Sequence, residues 1–572
     1  MLLTGSELVV KCLVEQGVDT IFGYPGGAVI PLYDALYKHP VINHILTCHE
    51  QAAAHAADGY ARATGRPGVC VATSGPGATN LVTGIATAYM DSVPLVAITG
   101  QVPCSLLGKD SFQEVDITGI TLPITKHSFL VKDFADIPRV FAQAFQLATS
   151  GRPGPVLIDI PKDVFLTRGE YKDFTPKKKE QSTLPPLNPL QITRAAKAIA
   201  AAKKPVIYAG GGIVRSGCQK ELLQLAEKNQ IPVVNSLMGL GSFPRSHPLS
   251  LGMVGMHGTA PANLAVTHAD LLIAIGARFS DRVTGNLAEF APAARILQID
   301  IDPAEIGKNL AVDIPVIGDA SKVLQTLCQQ LTSTDHSEWI AQIKDWQAAY
   351  PLEAVQTGKK IKPQYVIAQL AQLAPDDAII ATDVGQHQMF TAQHYPFRKN
   401  QTFLTSGGLG TMGYSLPAAI GAKVGCPDKK VIVITGDGGF RMNSNELATA
   451  VRSDLDITIL VFNNTSLGMV RQWQDFFCEK RFSSTLLKPI PDFVKLAAAF
   501  GAQGIRIDQP DQLTEALSKA LRMKGQVLVD CWIDPNENVL PMVPAGGAIY
   551  EMLGVPGLSN VPREDKKTSR QA

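Results

Sequence analysis

The chain has 572 residues, room for three or four domains at about 150 residues each. Hydrophobic residues make up 45% and charged residues 18%, which excludes a disordered chain and fits a soluble globular one. Lys and Arg number 52 against 51 Asp and Glu, so a formal charge of +1 gives no global basic field for nucleic acid or an anionic membrane.

The chain opens with MLLTGSELVVKCLVEQG, which lacks a basic leader and a signal-length apolar run. Thr4 and Glu7 instead form a capping-box pair before a helical stripe of Leu8, Val9, Cys12 and Leu13. The longest apolar stretch, LAVTHADLLIAIGA, is broken by His268 and Asp270, so no membrane span is expected. Nine scattered cysteines never form C-x-x-C and read as reduced, buried small hydrophobes; the expected compartment is the cytoplasm, or an organelle with the targeting peptide absent.

Three α/β domains are expected, at 1–170, 190–335 and 362–555, each with a mainly parallel sheet flanked by helices. A Lys- and Pro-rich break lies at 171–189, and a second at 333–362 carries a helical pattern around Trp339–Tyr350. Residues 556–572 read as a solvated, flexible tail. Residues 69–99 and 431–464 share one pattern of strand, Gly-rich loop, helix and strand. This weak internal repeat predicts that the outer two domains have similar topology.

Three sets of residues carry the chemistry. Glu50 follows the strand run VINHILTC and opens the helix QAAAHAADGYARATG, a position that the helix dipole favours by itself. The middle domain has YAGGG (208–212), GMHGT (255–259), GARFSDRVTG (276–285), QIDIDP (298–303) and Gly318-Asp319. Strand-end glycines and terminal acids suit a nucleotide in a Rossmann-like domain, although no full G-x-G-x-x-G is present. In the third domain, GDG (436–438) ends a strand, and Asn464 ends the next one 27 residues after Asp437. One crossover would place Asp437 and Asn464 side by side at the carboxyl edge of the sheet. A carboxylate, an amide oxygen and a backbone oxygen suit Mg²⁺. Gly436 and Gly438 would let the backbone approach a diphosphate, with a helix start expected at Asn443-Ser444 for the same charge.

The Asp437–Asn464 pairing resembles the cofactor motif of the thiamine-diphosphate-dependent enzymes. The words FGYPGGAVIPLYDAL, CHEQAAAHAADGYARATG, TSGPGATN, GQVP, DSFQEVD, GRPGPVLIDIPKD, GGLGTMGYSLPAAIGA, LGMVRQWQ and PMVPAGGA run in order from about Thr4 to Gly554. Together they resemble the catalytic subunit of the acetohydroxyacid (acetolactate) synthase family. That resemblance implies decarboxylation of pyruvate on thiamine diphosphate and ligation of the hydroxyethyl carbanion to pyruvate or 2-ketobutyrate. The products, 2-acetolactate or 2-aceto-2-hydroxybutyrate, belong to valine, leucine and isoleucine biosynthesis. The alternative is a thiamine-diphosphate/FAD pyruvate oxidase or a related 2-ketoacid decarboxylase.

The resemblance also implies roles. Glu50 would hydrogen-bond the aminopyrimidine and promote its imino tautomer, with Gly27, Gln113 and Lys162 near the reacting centre and its entrance. Gly436, Gly438, Gly439, Gln386, His387, Met412 and Met469 would contact thiamine diphosphate, Met412 as the prop that bends it. Asp437, Asn464 and the Ser466 backbone oxygen would hold Mg²⁺. Phe112, Met469, Val470 and Trp473 would shape the substrate pocket. Arg152, Gly211, Gly212, His257, Gly258, Arg278, Asp300 and Asp319 would hold a structural, non-redox FAD. A homodimer or tetramer with active sites at the subunit interface is implied, together with a small regulatory subunit. Three positions depart from the family's words: Ser280 replaces the first Asp of R-F-D-D-R, Gly439 follows GDG where Ser or Ala is usual, and Leu467 replaces a polar residue before GMV.

Overall fold

A computed structural model of the chain describes residues 1–171 and 186–558. Residues 172–185 of the 171–189 break and 559–572 of the 556–572 tail lie outside the described residues. The capping box is present: Thr4 Oγ1 accepts from the Glu7 amide at 3.2 Å and Glu7 Oε2 from the Thr4 amide at 2.8 Å, starting the helix Gly5–Glu15.

The first sheet follows β1 (Leu2–Thr4) and consists of β2 (Thr20–Gly23), β3 (Asn43–Leu46), β4 (Gly68–Ala72), β5 (Leu95–Gln101), β6 (His127–Leu130) and β7 (Pro155–Pro161). β8 (Arg168–Glu170) returns to pair antiparallel with β1. The middle sheet has β9 (Pro205–Ala209), β10 (Val233–Asn235), β11 (Ser250–Met253), β12 (Leu271–Ile275), β13 (Arg295–Asp300) and β14 (Ile314–Ile317). The third has β15 (Ile379–Thr382), β16 (Phe403–Leu404), β17 (Val431–Gly436), β18 (Ile457–Asn463), β19 (Gln503–Ile507) and β20 (Gln526–Trp532). All three sheets are parallel throughout. Runs such as GVCVA, VIVITG and ITILVFN are buried along their whole length, as expected of strands covered on both faces.

The outer sheets run β3-β2-β4-β5-β7-β6 and β16-β15-β17-β18-β20-β19. Numbered within themselves, both read 2-1-3-4-6-5, so the expected repeat is a shared topology. The middle sheet runs β11-β10-β9-β12-β13-β14, the order 3-2-1-4-5-6 of doubly wound nucleotide-binding sheets, with its switch point between β9 and β12.

The chain forms two compact units. One comprises Met1–Thr183, Val355–Gln388 and Gln401–Glu537 and holds both outer sheets; the other comprises Leu184–Ala354, Met389–Asn400 and Asn538–Ala572 and holds the middle sheet. The first part of the expected 333–362 break is structured: the helix Ser337–Ala349 buries Trp339, whose Nε1 donates to Pro205 O at 3.1 Å.

In the first unit, one apolar core joins the outer sheets and includes Phe22, Cys70 and Ala97 with Ile379, Val433 and Ile459. At its centre the Ala-rich helix Glu50–Thr64 packs against the helix Ser415–Gly425. A methyl group on Gly59 would run into the Ala418 carbonyl, and one on Gly421 into the Ala56 carbonyl. A buried ionic knot surrounds this contact. Arg62 pairs with Asp58 at 2.6 Å and Asp91 at 2.9 Å, and Tyr414 Oη donates to Asp58 at 2.6 Å. Overpacking a closed core costs about 1–3 kcal/mol, and backbone contacts cannot yield as side chains do. Gly421→Val is therefore expected to lower the thermal midpoint by several degrees in calorimetry, whereas Gly17→Ala, at a site with open space, costs only its left-handed backbone strain.

Candidate active site

Because the strands of the first sheet are parallel, the segments leaving their carboxyl ends share one edge. Gly26 and Gly27 follow β2, Glu50 follows β3, Thr73–Asn80 follow β4, the 102–116 loop follows β5 and Lys162 follows β7. Glu50 is the first residue of its helix, and its Oε2 accepts from Asn80 Nδ2 at 2.9 Å. Gly77 is the bare neighbour of Oε1: a methyl group there would lie 3.2 Å away. Thr73 Oγ1 accepts from the Ala28 amide at 3.1 Å and ties down the Gly26-Gly27 turn, where Gly27 faces open space.

The loop after β5 is held by Gln101. Its Nε2 donates to Val115 O at 2.8 Å and to the buried Asp159 carboxylate at 3.0 Å. Gln113, at φ 59°, packs against the Gly75 turn, where a side chain would come within 2.9 Å of its Cα. Phe112 beside it is 88% exposed in the single chain, so this chain alone gives it no pocket to line. Lys162 is half-buried and opens the short helix Lys162–Leu166.

The corresponding edge of the third sheet carries Asp437 and Asn464 after the adjacent strands β17 and β18. The helix expected at Asn443-Ser444 begins earlier, as Asp437–Met442 directly after Gly436, with a 3-10 turn at Ser444–Glu446. Gly438 and Gly439 are small enough to turn at once into a helix, and this brings backbone amides onto Asp437. Asp437 is buried, and burial pushes its carboxyl up to about 7 even though hydrogen bonds from the Gly438 and Thr465 amides pull it down. Its Oδ2 has no hydrogen-bond partner. Asn464 is oriented on both sides: Oδ1 accepts from the Ser466 amide at 3.0 Å, and Nδ2 donates to Gln386 Oε1 at 3.4 Å. Gln386 in turn donates to Gln472 Oε1 at 2.8 Å and Glu537 O at 3.0 Å, so its side chain serves Asn464. His387 is buried, lies against Gly436 and Gly385, and is kept neutral by a shift down to about 4.

An orphan carboxylate oxygen with an oriented amide and a backbone oxygen fits Mg²⁺, a hard cation that completes its shell with phosphate and water. Among the described residues no cluster of three or more His, Cys, Asp and Glu forms a metal site. A single-carboxylate site of this kind therefore depends on its ligand's own oxygens.

Met412 reaches this edge through a turn that sequence reasoning left unexplained. Asp383, buried at the end of β15, accepts from the Gly413 amide at 2.9 Å, the Ser415 amide at 3.2 Å and Ser415 Oγ at 2.8 Å. Asn443 Nδ2 donates to Gly413 O at 2.7 Å, and Asp91 accepts from the amides of Gly407 and Gly408 at 3.0 and 2.7 Å. A side chain at Gly438 would meet Leu467 at 2.6 Å and Met412 at 3.8 Å, so the three are neighbours. The amphipathic helix Gly468–Phe477 carries half-buried Met469 and Trp473 and exposed Val470, with the Trp473 ring 5.3 Å from Phe477.

In the second unit, the glycines at the ends of β9 and β12 touch: a methyl group on Gly212 would lie 2.6 Å from Gly276 Cα. Gly211 faces Met238 at 3.2 Å on the same measure, and Gly258 faces Asn263 Oδ1 at 2.7 Å. Arg278 follows β12, with its carbonyl accepting from Tyr208 Oη at 3.1 Å. Asp300 ends β13 and accepts from the Asp302 amide at 2.9 Å, and Asp319 caps the helix Ala320–Gln330. His257 is buried and shifted down to about 4, and its Nδ1 has no partner. Bare glycines at the switch point, acids at the ends of the next strands and an orphan imidazole nitrogen fit a dinucleotide. Arg152 belongs to the first unit, where its Nε donates to Ser92 Oγ at 2.8 Å.

Three family models match the chain: the N-terminal TPP binding domain of thiamine pyrophosphate enzymes at residues 3–120, their central domain at 192–327 and their C-terminal TPP binding domain at 383–531. A probable acetolactate synthase large subunit from Methanocaldococcus jannaschii is 52% identical over 564 residues, 96% of this chain and 95% of that protein. The acetolactate synthase isozyme 3 large subunit of Escherichia coli is 48% identical, covering 96% of this chain and 98% of its own length. The large subunit from Buchnera aphidicola of Acyrthosiphon pisum is 50% identical, with the same 96% and 98% coverage. The chain belongs to the acetolactate synthase large-subunit family. It is an enzyme of carboligation with thiamine diphosphate-binding domains at both ends.

Within that acetolactate synthase framework, the departures at 439 and 467 have local causes. A side chain at 439 would run into the Asp383 carboxylate, so the usual Ser or Ala requires Asp383 to move; Leu467 covers the bare face of Gly438. Asp383 is the residue that sequence reasoning missed here. An amide in its place keeps one acceptor oxygen and sets an N–H either against the Ser415 amide or against the Val384 amide, at about 1–3 kcal/mol for each buried group left unpaired. Asp383→Asn is expected to weaken thiamine diphosphate binding by about tenfold or more in a fluorescence titration, by loosening the Met412 turn.

Proposed function

We propose that the chain joins the two-carbon unit of pyruvate, after loss of CO₂, to a second 2-ketoacid. Pyruvate as acceptor gives 2-acetolactate, and 2-ketobutyrate gives 2-aceto-2-hydroxybutyrate. The observation that carries this reading is the buried, half-orphaned Asp437 beside an oriented Asn464, on a sheet whose topological twin presents Glu50 at the same edge. When bound, thiamine diphosphate supplies a carbanion-stabilising ring, and the protein supplies position and electrostatics.

In this reading Glu50 would hydrogen-bond the aminopyrimidine, steadied by Asn80. Asp437, Asn464 and the Ser466 carbonyl hold Mg²⁺, and His387 and the Gly436–Gly439 turn hold the diphosphate. Met412 shapes the cofactor, while Gly27, Gln113 and Lys162 border the reacting centre. Trp473, Met469 and Val470 border the acceptor, with Phe112 supplied across an interface between two copies of the chain. The middle sheet holds FAD in a structural role through Gly211, Gly212, His257, Gly258, Arg278, Asp300 and Asp319. A homodimer is the smallest complete assembly. Relatives named large subunits support a small regulatory partner. Among the described residues no helix is long and apolar enough to cross a membrane. We place the enzyme in the cytoplasm.

The test mixes purified chain, pyruvate, 2-ketobutyrate, Mg²⁺, thiamine diphosphate and FAD and quantifies both acetohydroxyacids while omitting each cofactor in turn. Product is expected only with all three, and Glu50→Gln is expected to lower kcat by about 10²–10⁴-fold. Acetate formation with oxygen uptake would replace the carboligase by an oxidase. An apolar pocket discriminates one methylene by about 1–3 kcal/mol, so Trp473→Leu is expected to shift the ratio of the two products by about tenfold or more in mixed-substrate assays.

A further inference from the structure

We propose that Glu446 is the positioning residue for Glu50: it grips the backbone just ahead of the helix that Glu50 opens. Glu446 is fully buried and stands in the third-sheet half of the first unit, on the 3-10 turn Ser444–Glu446. Its two carboxylate oxygens accept from the Cys48 amide at 3.1 and 3.2 Å, and the His49 amide also donates to it. Thr449 Oγ1 donates to Oε2 at 2.6 Å and orients the carboxylate, while Cys48 Sγ donates to Asn445 O at 3.3 Å. Cys48 and His49 are the two residues before Glu50, and His49 Nδ1 accepts from the Gln51 amide at 3.1 Å as the cap of the helix Glu50–Thr64.

The contact joins residues 398 apart in sequence, and nothing local in either segment requires it. A buried carboxylate is an expensive acceptor for amides that a hydroxyl could satisfy. What it adds is geometry: charge-assisted bonds to successive amides at a helix start fix where that helix begins and how it is rotated. Glu446 lies nine residues after Asp437, so the segment that carries the candidate metal ligand also sets the position of the acid's helix. Misplacing a reacting group by about 1 Å costs about a hundredfold in rate.

The inference rests on the reading of Glu50 as the acid that activates thiamine diphosphate. The test measures exchange of the cofactor's C2 proton for deuterium in the Mg²⁺-loaded holoenzyme, by rapid acid quench and NMR, without substrate. Glu446→Ala is expected to slow exchange by about tenfold to a hundredfold, with cofactor Kd and pyruvate KM changed by less than about threefold. Glu446→Gln, which keeps one acceptor oxygen, should recover part of the rate. In a Glu50→Gln background, Glu446→Ala should add less than about twofold, because a residue acting through another loses its effect when that residue is gone. Parent-like exchange in Glu446→Ala, full multiplication of the two losses, or equal loss of exchange and cofactor affinity would each overturn the proposal. Should Glu446→Ala not fold, Thr449→Val, which leaves the carboxylate but removes its orienting hydroxyl, must slow exchange several-fold or the proposal fails. Parent-like exchange in Glu50→Gln alone would instead remove the acid assignment, and the positioning role with it.

Discussion

Two helix backbones that approach closely at glycines are the constraint on which the first unit depends. The crossing of Glu50–Thr64 over Ser415–Gly425 is possible only because Gly59 and Gly421 leave the Ala418 and Ala56 carbonyls room. That closeness fixes the two outer sheets against each other through one apolar core, and the Asp58–Arg62–Asp91 knot locks the rotation. Both ends of the crossing are functional. Glu50 opens the first helix, and the second follows the Met412–Gly413 turn, so a shift in the packing would move both at once. Buried charges are costly unless paired, and here every member of the knot has at least two partners.

The outer sheets share one strand order and use the same edge for different chemistry. In the first, the segments after five strands, Glu50 among them, share one edge, with side-chain amides as props: Asn80 for the acid and Gln101 for the 102–116 loop. In the third, Asp437 is left with an oxygen to give, while Asn464, Gln386 and Gln472 form a chain of amides whose orientations depend on one another. An amide chain of this kind decides which atom of Asn464 faces outward, and a cation site needs that choice made in advance. The shared topology thus acts as a frame, and specificity lies in the polar residues attached to its edge.

Much of this was legible from local pattern. The capping box at Thr4, the spacing of Asp437 and Asn464 over one crossover, and the repeat between 69–99 and 431–464 are all short-range signals, and the structure contains each. The helix start was misplaced because GDGG reads as a loop when glycine is taken as a breaker, whereas here it makes room for amides around Asp437. Asp383, Gln101 and Glu446 were not visible, and the reason is physical. Their partners are loop amides and carbonyls far away in sequence, and a backbone amide gives no hint in its own residue type of who will hold it. Gln386 is assigned to the cofactor by resemblance; that its side chain also meets Asn464, Gln472 and the Glu537 carbonyl is a set of long-range contacts with no local pattern in the sequence.

The second unit is built from three separate stretches of chain, and this constrains how the protein can be made. Gln393 closes onto the His257 and Leu540 carbonyls, Asn400 onto Val214 O, and the Asn263 amide onto Ile549 O, so the late segments satisfy polar groups buried within the middle domain. A fragment cut at 190–335 would keep its sheet but lose these bonds, the His257 and Val214 carbonyls among them, so the middle domain is not a module that can be excised or fused elsewhere. During synthesis the N-terminal sheet can form early, yet the second unit must wait for residues beyond 538, and the first for residues up to 537. Both units are therefore completed together, when almost the whole chain has left the ribosome.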